Sequence, residues 1–187
     1  LQFLETLTGI EGLIPDPYFL GGGMHQIERG GHLKVHADFN QHDTLGLDRR
    51  LNALLYLNED WPDSYGGHLE LWERDMSARA KRIAPIANRL VVFSTTSDSF
   101  HGHPEPLTCP PDRRRRSLAL YYYTAGRPAE EGAGAHGTLW QETGSASPAG
   151  PVKRAGAGLF RAIGRTLTRT GKALTRTSER WNPKRRG

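Results

Sequence analysis

Cysteine is almost absent: Cys109 is the single one in 187 residues. No internal disulfide and no cysteine-based zinc cluster can form from one thiol. Long apolar runs are missing too. None approaches the roughly 18 residues that a membrane-crossing helix needs, so a transmembrane segment is excluded. No basic stretch precedes an apolar one at the start, so no secretory signal is expected, and a chain that opens on Leu1 without Met reads as a fragment or a processed chain. The lone thiol fits a reducing compartment, and a cytoplasmic location is the expectation. Apolar residues reach only 36%, too few for a core that extends through the whole chain. One domain of ordinary size with a tail suits the length.

The net charge of +5 is unevenly spread. Residues 151–187 carry eleven Lys/Arg against one acid, Glu179, while residues 1–150 carry fourteen against nineteen. The body is therefore mildly acidic, and any attraction to nucleic acid or an anionic membrane belongs to the tail alone. Leu159, Ile163, Leu167 and Leu174 stand near helical spacing there, interleaved with arginines, but four glycines weaken an isolated helix. A disordered or conditionally helical tail is the expectation.

Periodicity divides the rest. Leu1, Phe3, Leu4, Leu7 and Ile10 form a helical stripe, predicting a helix over Leu1–Ile14 that Pro15-Asp16-Pro17 stops. Gly21-Gly22-Gly23 reads as a flexible connector without the spacing of a phosphate-binding loop. Short strands are predicted at Met24–Glu28, Leu33–Phe39, Arg50–Asn58, His68–Glu73, Arg82–Ile86, Arg89–Ser94 and Ser117–Thr124, the fifth and sixth around a turn at Ala87-Asn88. Many short strands with Gly/Pro punctuation and no helices between them indicate a mainly β sandwich or barrel. The organisation expected is an N-terminal helix and connector over 1–23, a β domain over 24–126, a linker over 127–150 and the basic tail over 151–187.

Three features carry chemistry. His36-Ala37-Asp38 sets an imidazole and a carboxylate on one side of a strand. A distant histidine in Ser99-Phe100-His101-Gly102-His103 can join them once a barrel closes. Two His and one carboxylate on one side of an ion form the facial set of non-haem Fe(II) oxygenases, although zinc hydrolases draw on the same ligand types. The third feature, Arg115-Arg116-Ser117, puts a guanidinium and a hydroxyl on one face of the last strand, a pairing suited to the far carboxylate of a dicarboxylic ligand such as 2-oxoglutarate. Tyr56 is placed to add a phenol hydrogen bond.

Gly31-His32-Leu33-Lys34-Val35-His36-Ala37-Asp38, Leu54-Leu55-Tyr56-Leu57-Asn58-Glu59-Asp60-Trp61, Gly66-Gly67-His68-Leu69-Glu70-Leu71, Phe100-His101-Gly102 and Arg115-Arg116-Ser117-Leu118-Ala119-Leu120-Tyr121-Tyr122-Tyr123 follow in that order. This order resembles the prolyl 4-hydroxylase-like branch of the Fe(II)/2-oxoglutarate dioxygenases, over roughly Met24–Thr124. The resemblance implies a double-stranded β-helix, or jelly roll. It implies that His36, Asp38 and His101 bind iron, that Arg115 binds the far carboxylate of 2-oxoglutarate, and that Tyr56 touches the same co-substrate. It further implies O₂ as oxidant, ascorbate as reductant, and release of succinate and CO₂. The expected reaction is hydroxylation of a prolyl residue in a peptide or protein. A free amino acid or small metabolite is the near alternative, and a metal-binding jelly roll without activity the remote one.

Other positions have two readings each. His103 competes with His101, and family position favours His101, leaving His103 behind the metal or facing substrate. Gln26 stands where some relatives carry a tyrosine that contacts the co-substrate. Asn52 and Trp61 are candidates for the mouth of the site or, equally, loop supports. Ser117 is a co-substrate ligand or a small packing residue. Tyr121 shares the face of Arg115, though strand packing is the commoner role for such a tyrosine. His25, His32, His42, His68 and His136 are read as ordinary surface or hydrogen-bonded histidines.

Overall fold

A computed structural model describes residues 1–131 and 134–142. The basic tail, and the part of the predicted linker beyond residue 142, lie outside the described residues. Among the described residues no helix is long and apolar enough to cross a membrane.

Helix α1 covers only Gln2–Thr8. Gly9, in the left-handed region at φ 70°, ends it by sending its N–H to the carbonyl of Glu5 at 2.8 Å. The prolines expected to stop the helix come too late for that. Pro15 instead belongs to a short edge strand, β1 (Ile14–Pro15), where a missing N–H costs nothing. The Glu5 carboxylate accepts the N–H of Leu13 at 3.0 Å and ties the returning chain to the helix.

The remaining strands are β2 (Gly23–Ile27), β3 (Leu33–Ala37), β4 (Asp48–Tyr56), β5 (Leu69–Trp72), β6 (Arg79–Ile83), β7 (Leu90–Ser94), β8 (His101–His103), β9 (Arg115–Thr124) and β10 (Leu139–Trp140). They form two antiparallel five-stranded sheets. In the first, β9 pairs with β1, β2 and β4, and β4 pairs with β7; in the second the order is β10-β3-β8-β5-β6. The mainly β jelly-roll expectation matches this architecture.

Two local readings change. β6 and β7, expected around a turn, do not pair: β6 binds β5 in one sheet and β7 binds β4 in the other. The Ala87-Asn88 turn is a crossing between sheets, with Asn88 at φ 61°, a conformation that asparagine tolerates. The predicted linker contributes β10, which pairs antiparallel with β3, Trp140 opposite His36.

Alternation along β4 sorts the two faces of the first sheet. Leu51 and Ala53 point outward, where Leu51 meets Leu4 and Leu13 beneath α1. Full burial of such a leucine contributes about 1.5–3 kcal/mol. Leu54 and Tyr56 point between the sheets and pack with Leu69, Leu71, Val91 and Phe93. Trp61, Leu107 and Cys109 make a separate cluster with Ile27 and Tyr65.

Candidate metal and co-substrate site

β3 and β8 are neighbours, with His36 directly opposite His101. A bulge in β3 between Leu33 and His36 shifts the register so that this pairing occurs. At that bulge the backbone comes so close to β8 that a Cβ on Gly102 would stand 2.8 Å from the carbonyl oxygens of Leu33 and Lys34. Gly102 is therefore required by close approach rather than by backbone angle. Asp38 follows β3 and turns its carboxylate back to the two rings.

The ligand atoms of His36, Asp38 and His101 all lie within 4.8 Å of one another, and all three residues are buried. His36 Nε2 is 3.5 Å from Asp38 Oδ1, and His101 Nε2 is 3.3 Å from Oδ2. Ligand atoms about 2.1 Å from one ion in adjacent octahedral positions stand about 3 Å apart, so the spacing fits one cation. The donors confirm the fit chemically. Nδ1 of His36 sits 2.8 Å from the Lys34 carbonyl, and Nδ1 of His101 sits 2.9 Å from the Ser99 carbonyl. A carbonyl only accepts, so each Nδ1 carries a hydrogen and Nε2 is the nitrogen that each ring presents to the Asp38 carboxylate. Burial raises the Asp38 pKa, but contacts with His101 and His36 and the charge of Arg49 outweigh it and hold the carboxyl well below the usual carboxylate range.

Asp38 is anchored from behind. Its Oδ2 accepts from Asn52 Nδ2 at 2.7 Å and Arg49 Nη2 at 3.0 Å, and Asn52 Oδ1 in turn accepts from Arg49 Nε and Nη2. Arg49 is fully buried between two aromatic faces, its Cζ 3.6 Å from the Tyr121 ring centroid and 4.4 Å from that of Phe39. Asn52 thus supports the Asp38 carboxylate, and Tyr121 packs on Arg49, its hydroxyl donating to the Gly21 carbonyl. Sequence reasoning missed Arg49. Strict alternation puts it on the outward face with Leu51, but the register of β4 against β9 shifts between these two residues and turns Arg49 inward.

Arg115 is also buried. Nε donates to the Gly67 carbonyl at 2.7 Å, and Nη2 donates to the Tyr56 hydroxyl at 3.3 Å. Among the described residues no carboxylate pairs with it. Burial disfavours its charge and lowers its pKa, with Tyr56 acting in the opposite sense, yet a guanidinium stays charged in a protein. Burial likewise raises the pKa of Tyr56. Ser117, also buried, lies directly across the β4–β9 pair from Tyr56. His103 is 3% exposed, and among the described residues neither of its ring nitrogens has a hydrogen-bond partner. Burial, with the charge of Arg115 next in size, presses its pKa down to about 3. A buried group left unpaired costs about 1–3 kcal/mol.

Two expected positions are elsewhere. Gln26 is exposed, and its Oε1 accepts from Arg116 Nε at 3.2 Å. The inward places on β2 go to its neighbours, and His25, read as ordinary, is paired with Ser117. Trp61 supports a loop: its indole N–H donates to the Gly66 carbonyl at 3.0 Å, and its ring meets Tyr65 edge-on. Trp140 is the unforeseen aromatic, its ring 4.9 Å from that of His36 and still 57% exposed.

The family model of the 2OG-Fe(II) oxygenase superfamily matches residues 22–123, more than half of the chain. The chain belongs to this superfamily. Its members use Fe(II), 2-oxoglutarate and O₂, and that choice removes the zinc-hydrolase reading of the ligand set. Similar solved structures include a Pseudomonas putida prolyl-4-hydroxylase, at 26% identity and TM-score 0.40, covering 56% of this chain and 51% of that one. A Phytophthora capsici prolyl 4-hydroxylase aligns at 23% identity and TM-score 0.48, covering 66% and 39%. A Trichoplax adhaerens prolyl hydroxylase, solved with a hypoxia inducible factor peptide fragment, aligns at 23% and 0.43, covering 54% and 41%. The chain thus spans about half or less of each of these proteins. No curated protein matches the sequence.

Proposed function

We propose that this oxygenase domain hydroxylates an unactivated C–H bond, with a prolyl residue in a peptide or protein as substrate. The observation that carries the reading is a pair of complementary deficits. Three buried metal-ligating side chains converge at the His36–Asp38–His101 cluster, and among the described residues no carboxylate pairs with the buried guanidinium of Arg115. A ferrous ion answers the first and a keto diacid the second.

In this reading His36, Asp38 and His101 would hold Fe(II). Bound iron supplies the oxidative chemistry, in which 2-oxoglutarate and O₂ become succinate and CO₂ with one oxygen atom placed in the substrate alcohol. Arg115, with Tyr56 and Ser117 beside it, holds the far carboxylate and so fixes the keto end at the metal. The Lys34 and Ser99 carbonyls keep both histidines in the ligating tautomer. Arg49 and Asn52 orient Asp38. The buried setting would keep bulk water from this site, and ascorbate is the reductant that suits such an enzyme. The prolyl assignment rests on the motif order, and a reducing cytoplasmic setting suits a ferrous enzyme.

Succinate formation by Fe(II)-loaded protein tests the reaction, with prolyl peptides, free proline and no substrate as the three conditions. Peptide-stimulated succinate together with hydroxyproline supports the whole reading. Stimulation by free proline alone moves the substrate to a small metabolite. No succinate under any condition overturns the oxygenase assignment.

A further inference from the structure

His103 has no role so far. It lies two residues beyond His101 on β8, so both side chains leave the strand on the same side. It is buried, and among the described residues neither ring nitrogen has a partner. It lines a small cavity together with Gly67, whose carbonyl holds Arg115 Nε. A buried imidazole that shares Gly67 with a buried guanidinium is a candidate second donor to the carboxylate that the guanidinium would bind. We propose that His103 donates a ring N–H to the far carboxylate of 2-oxoglutarate, beside Arg115, and so favours keto diacids over keto monoacids. This rests on the reading of Arg115 as the co-substrate anchor.

The physical logic is one of division of labour. A carboxylate offers about four lone-pair directions. Arg115 spends Nε on the Gly67 carbonyl and part of Nη2 on the Tyr56 hydroxyl, so it does not saturate the anion alone. Because the His103 ring is rigid and set by β8, it rewards a carboxylate at one distance from the metal and gives nothing to a methyl group there.

The test measures binding to Mn(II)-loaded protein by calorimetry, with 2-oxoglutarate and with 2-oxopentanoate, the analogue whose far end is a methyl. The His103→Phe variant is expected to weaken 2-oxoglutarate about tenfold and leave 2-oxopentanoate unchanged. His103→Gln, which keeps an N–H donor, is expected to recover most of the loss. His103→Leu gives the same reading should the phenylalanine variant not fold. Unchanged 2-oxoglutarate binding in the apolar variants overturns the proposal, as does equal weakening of both keto acids, which marks a role at the metal or in packing. If the native protein binds 2-oxoglutarate and Arg115→Met abolishes it while His103→Phe does not, this inference alone fails. If the native protein does not bind 2-oxoglutarate, the co-substrate reading fails and this one with it.

Discussion

Arg49 and Asp38 meet at 3.0 Å, Nη2 to Oδ2, inside the protein, and the arginine has no exposed surface at all. The Asp38 carboxylate is thereby held by a cation that is itself clamped between Tyr121 and Phe39. Removal of one partner from a buried pair leaves the other charge without compensation and costs about 3–5 kcal/mol. Arg49→Met is expected to lose stability on that scale in denaturant unfolding. It is also expected to weaken Mn(II) affinity by about 10–100-fold, since the orientation of Asp38 relaxes. A Lys in its place restores charge but not the fork that reaches both Asp38 and Asn52, so Arg49→Lys should rescue little. Native-like metal affinity in Arg49→Met would show that Asp38 needs no support.

Gly67 makes room for Arg115. Its φ is 71°, and a Cβ there would stand 2.5 Å from Leu107 Cδ2 and 2.8 Å from Arg115 Cδ. Gly67→Ala is expected to displace the arginine stem, cost about 1–3 kcal/mol of stability and raise the Kd for 2-oxoglutarate with little change in metal affinity. Calorimetry with each ligand separates the two. Loss of metal binding in step with keto-acid binding would point to a wider collapse.

Tyr123 contributes to the alkaline limit together with Tyr56 and Tyr121, whose pKa values burial also raises. It is fully buried, among the described residues its hydroxyl has no partner, and burial raises its pKa to about 12. The folded form keeps its proton where the unfolded phenol, with a pKa of about 10, has released it. The stabilising contribution is complete below pH 10 and is lost as pH rises through 12. Tyr123→Phe is expected to be neutral or stabilising at pH 7 and to flatten the decline above pH 10. A steeper decline in that variant would contradict the assignment.

Trp140 reports on the metal. Its ring lies 4.9 Å from the His36 ring, with β10 holding it opposite that residue. Paramagnetic Mn(II) at the triad should quench its emission, and Trp140→Phe should remove most of the metal-dependent change while leaving Mn(II) affinity within about threefold. Equal quenching in the variant would place the ion away from His36.

Much of the site was legible because it is written in local spacing. His36 and Asp38 two residues apart on an extended segment must share a side, and Arg115 and Ser117 follow the same rule. Arg49, Gln26, Trp61 and Trp140 were not, each for a physical reason. A register shift in β4 reverses the side on which Arg49 stands. Alternation in β2 turns Gln26 outward to Arg116. The indole of Trp61 is spent on a loop carbonyl. Trp140 stands in an Ala/Gly-rich stretch with no strand pattern, and only the exposed edge of β3 gives that stretch a partner.

From the chain alone came the β character, the ligand types and their order, since side-chain alternation and residue chemistry are local properties. The tertiary fold alone decided which histidine faces which carboxylate, which arginine is inside, and what holds each in place. Those answers depend on strand register and sheet closure, where a shift of one residue exchanges the interior for the surface.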